Sequence, residues 1–244
     1  MKLVFLGTRG EIEAKTDRHR MHTSLEVSYR GARVMVDAGE DWLGELDEVD
    51  PDAIVVTHAH PDHAWGLEEG SPCPVWATEE TWEEIGDYPI DDEQRHVVEA
   101  REPFEPAENI VFEAFTVEHS TRAPAVVYRI SAGVVTVFYG PDMVYIHERE
   151  EALRGCSVFI GDGATMKRSF VRKQGENLIG HTPVYTQLGW CAKEGVTRAI
   201  ITHCGSQIVE GDERTLGATL REWADERGIE AEFAHDGMEV VLRS

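Results

Sequence analysis

Lysine is scarce in this sequence, and acidic residues outnumber basic ones two to one. The 244 residues include 46 Asp and Glu against 23 Lys and Arg, which gives a formal net charge of -23. The lysines are Lys2, Lys15, Lys167, Lys173 and Lys193. Such a surface repels nucleic acid unless a local basic patch or bound metal ions reverse the field. We therefore expect no long nucleic acid as a partner. Whether the acidity reflects a high-salt habitat stays open.

Closely spaced cysteines and long apolar runs are also missing. The four cysteines (Cys73, Cys156, Cys191 and Cys204) form no CxxC pair, which argues against a disulfide framework and against a cysteine zinc site. Apolar runs such as residues 53–56 and 134–138 are strand-sized and too short to cross a bilayer. The apolar N-terminus stops at Gly7, so it is interpreted as a first strand rather than an export signal. We expect a cytoplasmic protein without a membrane partner.

Short β-type segments dominate the first half of the chain, and strands alternate with helices in the second. Strands are predicted at residues 2–6, 24–29, 33–37, 53–57, 75–77, 110–117, 125–130, 134–139, 158–160, 199–202 and 239–242. Helices are predicted at 183–194 and 213–227, where apolar residues recur at helical spacing. This length and pattern favour one α/β domain over residues 1–244, with two sheets packed together and helices outside.

The densest group of candidate metal ligands follows the predicted strand at 53–57. Residues 57–63 read THAHPDH, so His58, His60, Asp62 and His63 fall within six positions. A tight loop at the end of a strand brings such side chains into a small volume, as metal ligation requires. Packing alone would be a poor reason to place three imidazoles and a carboxylate there. The loop therefore predicts a metal site.

The string HxHxDH and the segments around it resemble the metallo-β-lactamase superfamily over nearly the whole chain. The matching features, in order, are VDAG at 36–39, the HxHxDH loop, EHS at 118–120, YGPD at 139–142 and TH at 202–203. The resemblance implies a four-layer αββα sandwich, in which two mixed β-sheets are flanked by helices. It also implies a hydrolase with two divalent metal ions, zinc first and manganese or iron as alternatives.

The resemblance assigns the ligands residue by residue. His58, His60 and His119 would hold the first metal; Asp62, His63 and His203 would hold the second, and Asp142 would bridge them. Hydrolysis would proceed by attack of a metal-bound hydroxide, with Asp62 and His181 as the catalytic residues. Asp37 would orient a ligating imidazole rather than bind metal itself.

Two assignments have competitors. The superfamily's bridging aspartate usually stands in a Gly-Asp-Thr context, whereas here Pro141 separates the glycine from Asp142. Asp162 is therefore an alternative to Asp142 as the bridging residue. If Asp162 does not bridge the metals, we expect it to support a ligand from behind or to lie in a substrate loop. His235 competes in the same way with His203 for the last ligand position.

The segment GHTP at 180–183 points to one branch of the superfamily. Together with the following helix and strand and the TH at 202–203, it resembles the RNase Z-like phosphodiesterases, including the cyclic phosphodiesterase of the carbon–phosphorus lyase pathway. In those relatives the extra histidine faces the substrate phosphate and can protonate the leaving alkoxide. The resemblance thus assigns His181 as general acid. The alternative is a histidine near the start of a surface helix.

Basic residues gather in two places in this acidic chain. Arg18, Arg20 and His22 lie between the first two predicted strands, and Arg168 follows Asp162. Arginine forks match phosphate oxygens, so these four residues are candidates for substrate binding, although either segment could be a solvated loop. Because the chain has no basic insertion to grip RNA, a small or cyclic phosphodiester or a short nucleotide is expected as substrate.

Other functions fit the same fold. Tyr145, three residues after Asp142, could polarise an acyl carbonyl, so a lactonase or another acyl-ester hydrolase is the main alternative. A non-catalytic, metal-stabilised binding protein is the other. A β-lactamase role is disfavoured because those enzymes are usually exported. The sequence leaves open the natural substrate, the metal and the oligomeric state, with a homodimer as one option.

Overall fold

The structure is a computed structural model that describes residues 1–243. Its strands are β1 (Lys2–Gly7), β2 (Ser24–Tyr29), β3 (Ala32–Val36), β4 (Ala53–Val55), β5 (Val75–Ala77), β6 (Arg95–Val97), β7 (Phe104–Ala107), β8 (Ile110–Glu118), β9 (Ala125–Ala132), β10 (Val135–Tyr139), β11 (Tyr145–Ile146), β12 (Val158–Asp162), β13 (Arg172–Gln174), β14 (Asn177–Ile179), β15 (Arg198–Thr202), β16 (Glu230–Phe233) and β17 (Met238–Val241). Its α-helices are α1 (Leu46–Val49), α2 (Pro61–Ala64), α3 (Glu79–Glu84), α4 (Arg149–Leu153), α5 (Val184–Glu194), α6 (Ser206–Val209) and α7 (Glu213–Asp225).

Two large mixed sheets form the centre of the molecule. The first has seven strands in the order β17-β1-β2-β3-β4-β5-β6. The second has eight strands in the order β11-β8-β9-β10-β12-β15-β16, with β7 paired to β8. Strands β13 and β14 form a separate small hairpin. Each sheet contains parallel pairs, β3 with β4 and β4 with β5 in the first, and β12 with its neighbours β10 and β15 in the second.

The two sheets face each other across a continuous apolar core. Along β1 the buried residues alternate, so Leu3 and Phe5 point to the same face of the sheet. They belong to one cluster with Phe112, Tyr128 and Val137 of the second sheet. Burying this apolar surface is the main force that holds the sheets together.

Helices cover the outer face of each sheet. On the first sheet, Ile54 packs in a cluster with Trp42 and with Trp82 of α3. On the second, Phe159 packs with Leu188 of α5 and with Leu220 of α7. The layers therefore run helix, sheet, sheet, helix, and the predicted αββα sandwich is confirmed. The assignment of residues 1–244 to a single domain stays a prediction.

The two predicted helices are present with slightly shorter bounds. In α5, Val184, Leu188 and Cys191 are buried, as their helical spacing predicts, and the helix ends at Gly195 in a left-handed conformation with φ 79°. The Asp212 side chain accepts a hydrogen bond from Thr215 N and so caps the start of α7. Prediction missed β6, β7, β11, β13, β14 and β16 and helices α1 to α4 and α6. The missed strands are mostly half-buried or exposed, so they lack the apolar run that marks β4 and β5. The missed helices have six residues or fewer and are too short to show a hydrophobic period.

The topology gathers four chain segments at one edge of the sandwich. The segments are those that follow β4, β8, β10 and β15, which carry His58, His119, Asp142 and His203 respectively. Ligands in open α/β sheets commonly bind where strands end, because several loops converge there. Within residues 1–243, helices that are both long and apolar enough to cross a membrane are absent.

Candidate metal centre

The first group of candidate ligands consists of His58, His60, His119 and Asp142. The distance from His60 Nδ1 to His58 Nε2 is 3.0 Å and that to His119 Nε2 is 3.2 Å. Asp142 Oδ2 lies 3.4 Å from His58 Nε2 and 3.5 Å from His119 Nε2. Three imidazole nitrogens and a carboxylate oxygen that converge in this way match the ligand set that zinc prefers. These four side chains could hold a metal ion.

The second group consists of Asp62, His63, His203 and again Asp142. His203 Nε2 lies 2.9 Å from Asp62 Oδ2, and His63 Nε2 lies 3.1 Å from Asp142 Oδ2. The Asp142 carboxylate therefore touches both groups, as the bridging assignment requires. The structure brings together all seven residues that the sequence predicted as metal ligands.

Unpaired polar atoms in these groups show that the site fits a cation. Within the described residues, His63 Nε2, His203 Nδ1 and Asp142 Oδ1 are buried and make no hydrogen bond of good geometry, although Asp142 Oδ2 lies 3.1 Å from His63 Nε2 and His181 Nδ1 lies 2.9 Å from Asp142 Oδ1. An unsatisfied buried polar atom costs about 1–3 kcal/mol, so a site that collects three of them is unfavourable unless something binds there. A divalent cation would satisfy these atoms.

The protonation equilibria of the two groups differ. Burial, reinforced by the neighbouring His119, lowers the pKa of His60 to about 4, which keeps its imidazole neutral as a ligand must be. In the second group burial lowers the pKa of His203, but the Asp142 and Asp62 carboxylates and a hydrogen bond with Asp162 outweigh it and raise the pKa to about 9. A proton on His203 would therefore compete with a cation at the second group.

A sharp turn after β4 brings the four residues of the HxHxDH loop together. His60 has an extended backbone and precedes α2, and Pro61 takes the first helical position, where its fixed φ suits the helix. The short helix then presents Asp62 and His63 to the second group. The loop is packed tightly against Gly39, because a Cβ at that position would lie 2.1 Å from the Asp62 carbonyl oxygen.

Asp37 supports this loop from behind. It is fully buried, and it accepts hydrogen bonds from Thr57 N at 2.7 Å and from His63 Nδ1 at 2.9 Å. Its φ of 64° is uncommon for a residue other than glycine, although aspartate tolerates it better than most. The placement agrees with the predicted role of Asp37, which is to orient a ligating imidazole.

His181 and Asp162 form a pair beside the ligands. His181 Nδ1 lies 2.9 Å from Asp162 Oδ2 and 2.9 Å from Asp142 Oδ1. Burial lowers the pKa of His181, but the two carboxylates overcome this effect and raise it to about 11. The His181 side chain is 24% exposed, whereas the side chain of Asp162 is fully buried. His181 thus faces the cavity and Asp162 holds it from within.

The segment that carries His181 is joined to a candidate ligand by two hydrogen bonds. Gly180 N donates to the His119 carbonyl at 2.9 Å, and His119 Nδ1 donates to the Gly180 carbonyl at 3.1 Å. Because Nδ1 carries the proton, the Nε2 lone pair of His119 is free for a metal.

A cavity of about 490 Å³ opens onto both groups. Besides the predicted ligands and His181, its walls come from residues 10–12, Pro61, Ala164, Phe170 and residues 205–207. Sequence reasoning missed these walls, including Glu11 and Phe170. A signal for Glu11 was its position in the same loop as the arginines, but nothing in the sequence indicated that this loop reaches the metal centre.

The four residues predicted to bind substrate are placed elsewhere. Arg18 forms an ion pair with Glu213 at 3.0 Å, and His22 is buried with its Nδ1 3.2 Å from Asp41. Arg20 is exposed, and Arg168 lies over the ring of Phe170 at 6.0 Å. Arg18, Arg20, His22 and Arg168 are all outside the cavity lining. The cavity therefore gives no support to the predicted phosphate contacts.

The competing residues also have defined positions. Asp142 occurs in all three candidate metal groups, whereas Asp162 occurs only in the one that includes His181. His235 is absent from the metal groups found among residues 1–243, and its Nδ1 contacts the Asp236 carbonyl at 3.1 Å. The geometry favours Asp142 over Asp162 and His203 over His235. Tyr145 is 43% exposed, packs against His147 and lies outside the cavity lining.

Comparison with known proteins yields both partial and full-length matches. Ribonuclease Z from Methanopyrus kandleri is 37% identical over 68 residues, which is 26% of this chain and 23% of that protein. The chain thus aligns with less than a quarter of that relative's length. The crystal structure of Zn(2+)-bound PqqB from Methylobacterium extorquens superposes with a TM-score of 0.73 at 18% identity, covering 99% of this chain and 100% of the other. A diphosphatase from the PhnP family gives a TM-score of 0.73 at 20% identity, covering 99% and 98%.

At these identities the two solved structures show a common fold. The family itself follows from a sequence model described as the beta-lactamase superfamily domain, which matches residues 32–204. That match covers well over half of the chain and includes all seven candidate ligands. The predicted resemblance is confirmed, and the chain belongs to the beta-lactamase superfamily.

Proposed function

We propose that this chain is a dinuclear metal-dependent phosphodiesterase that hydrolyses a small or cyclic phosphodiester or a short nucleotide. The observation that carries the proposal is the placement of His181. It lines the cavity next to both candidate metal groups, with Nδ1 held by Asp162, so that Nε2 is left for a substrate. An alkoxide is a poor leaving group, and a proton donor at this place answers that need.

The ligand set suits zinc, with manganese or iron as alternatives. Two divalent cations bound there would polarise a phosphoryl oxygen and favour the ionisation of water near neutral pH. One cation would be held by His58, His60 and His119, and the other by Asp62, His63 and His203. Asp142 would contribute to both sites. The zinc in the similar PqqB structure supports this choice.

The chain's own residues would then handle the protons. Water oxygen forms a bond to phosphorus, and the bond from phosphorus to the ester oxygen breaks, leaving its electron pair on that oxygen. His181 donates its Nε2 proton to the departing alkoxide, while Asp162 keeps the imidazole oriented. His181 regains a proton from solvent, which balances the one lost by the attacking water. The products are a phosphomonoester and an alcohol.

Other features support a small phosphate ester as the substrate. The names of two similar proteins, ribonuclease Z and diphosphatase, both denote phosphate chemistry. The cavity volume of about 490 Å³ falls within the usual range for small-molecule sites. The net charge of -23 disfavours a long nucleic acid. A cytoplasmic location and a homodimer stay predictions.

The test compares two substrate classes on the zinc- or manganese-loaded protein. We expect turnover of bis(4-nitrophenyl) phosphate and of a cyclic nucleotide, and little or none of an acyl lactone. Turnover of the lactone alone would replace this proposal with the lactonase, for which the position of Tyr145 outside the cavity lining gives no support. Well under one metal per chain by elemental analysis would favour a non-catalytic binding protein.

A further inference from the structure

The cavity in front of the metal centre contains one charged side chain that the proposed chemistry does not use. Apart from the candidate ligands and His181, the only titratable residue in the described lining is Glu11, and lysine and arginine are absent from it. Apolar side chains, including Ile12 and Phe170, form the wall around it. Phe170 is 43% exposed, and the Arg168 guanidinium lies over one face of its ring at 6.0 Å, which leaves the other face for contact. A substrate arm that leaves the metals therefore meets a carboxylate and apolar surface.

Glu11 is held in this position by a buried arginine. Arg9 is 2% exposed, and its guanidinium donates to the carbonyls of Gly10 and Ile12, the residues on either side of Glu11. The guanidinium also forms an ion pair with Asp41, and Arg9 is outside the cavity lining, although its charge still acts on Glu11 and lowers the pKa of that carboxyl. The Gly10–Ile12 segment is thus fixed from behind.

The opposite end of this segment is attached beside a candidate ligand. Gly10 N donates to the Cys204 carbonyl at 3.2 Å, and a Cβ on Gly10 would lie 2.8 Å from the His203 ring. Partial burial raises the pKa of Glu11, the Asp62 carboxylate raises it further, and the Arg9 guanidinium and His203 lower it. Glu11 therefore lies close to the second metal group.

From this arrangement we infer that Glu11 sets the charge specificity of the site: it favours phosphodiesters whose remote ester arm bears an alkylated ammonium group and disfavours esters with additional negative charge. The inference rests on the proposed phosphodiesterase function and names its substrate class. A carboxylate attracts the ammonium charge, while Ile12 and the aromatic face of Phe170 suit its methyl groups. An extra phosphate or carboxylate would meet Glu11 with no lysine or arginine in the lining to offset it.

Two probes of the same shape separate charge from size. 4-Nitrophenyl phosphocholine carries a trimethylammonium group, and 4-nitrophenyl 3,3-dimethylbutyl phosphate replaces its nitrogen by carbon. Both release 4-nitrophenolate, so their ratio of kcat/KM reports the remote arm alone. We expect the wild-type ratio to favour the choline ester and to fall about threefold to tenfold in E11Q, as for a single charge a few ångströms away in a solvated cavity. In about 1 M salt the wild-type ratio should shrink towards that of E11Q.

Glu13 provides the matched control, because both glutamates are exposed on the same loop but only Glu11 lines the cavity. E13Q makes the same change in net charge and should leave the ratio within about twofold of wild type, since an exposed charge beyond the cavity is screened. An unchanged ratio in E11Q, or an equal fall in E13Q, would overturn the inference while the phosphodiesterase proposal stands. No release of 4-nitrophenolate from either diester would overturn the proposed function, and the inference with it.

Discussion

His181 Nδ1 lies 2.9 Å from the carboxylate of Asp162, a residue that is itself fully buried. The backbone N–H of Asp162 donates to Gln187 Oε1, and Gln187 Nε2 donates back to the Asp162 carbonyl, so the carboxylate has a fixed position. Asp162 lies at the end of β12 and is held there by Gln187 of α5. The His181 imidazole is therefore oriented by a rigid partner. In the proposed function this relationship would separate two roles: seven residues would bind metal, and His181 would deliver a proton.

Replacing His181 should slow poor leaving groups selectively. In His181→Ala we expect turnover of alkyl phosphodiesters to fall about 10²–10⁴-fold, the usual worth of a general acid, and turnover of 4-nitrophenyl esters to fall far less. The reason is that 4-nitrophenolate leaves without needing a proton. Steady-state kinetics on both substrate types, with metal content measured alongside, check this. Equal losses on both would mean that His181 is not the acid.

Removing the shared carboxylate should remove metal. Because Asp142 contacts both candidate groups, Asp142→Ala should lose metal from both as well as activity, and Asp62→Ala should lose it from the second group. Asp162→Asn should retain the metal content of the wild type. Elemental analysis of the purified variants, with circular dichroism to confirm folding, gives the measurement. Greater metal loss on changing Asp162 than on changing Asp142 would make Asp162 the bridging residue.

Gly39 should tolerate no side chain. Its missing Cβ leaves room for the Asp62 carbonyl, which would otherwise be 2.1 Å away, so Gly39→Ala should lower the free energy of unfolding by about 1–3 kcal/mol and weaken metal retention. Gly189, inside α5, is the matched control because nothing lies within 4 Å of a Cβ there. Gly189→Ala should raise stability by up to about 1 kcal/mol. Urea unfolding of both variants decides, and equal effects would contradict the packing argument.

Acid should destabilise the fold through His22. Burial, with help from Arg9, lowers the pKa of His22 to about 4 from its usual value near 6.5. A depressed histidine pKa means that the folded state prefers the neutral imidazole. The resulting stability is present above pH 6.5 and is lost as the pH falls towards 4, up to about 3 kcal/mol in total.

The variant His22→Asn removes this titration. Its free energy of unfolding, followed from pH 7 to pH 4.5, should fall less steeply than that of the wild type. His96, which is half-buried and stacks on Trp76, supplies a control through His96→Asn, which should keep the wild-type slope. Identical slopes in wild type and His22→Asn would show that His22 does not carry the effect.

The candidate metal ligands could be named from the sequence because the HxHxDH loop and the other segments that resemble the superfamily's motifs each follow a strand with a plain apolar pattern. His119 comes directly after the nine-residue β8, and His203 directly after β15. Strands of this kind also determine the layers of the fold. Their buried residues either alternate along the strand or follow one another without a break, and this pattern indicates whether one face or both faces are covered. The HxHxDH spacing spans a turn at His60 and the first residues of α2. These features are local, and local patterns are what a single sequence displays.

The substrate side of the site could not be predicted in this way. Arginines stand out in an acidic chain, but their charge alone does not predict where their side chains lie in the fold. Arg18 meets Glu213, far away in the sequence, and Arg9 is buried against Asp41. Glu11 reaches the cavity only because its loop is attached to the segment after β15. Contacts between distant segments determine this wall, and they leave no periodic signal.

The paired hydrogen bonds between His119 and Gly180 have a consequence for how the site assembles. A cation that captures Nε2 of His119 favours the tautomer with a proton on Nδ1, and that proton is the one donated to the Gly180 carbonyl. Metal loading and the ordering of the chain around Gly180 are then thermodynamically linked, so each strengthens the other. The neighbouring residue on that segment is His181. The proposed proton donor would therefore be positioned as the metal binds. In the metal-free protein, His181 would be held less firmly in its catalytic position.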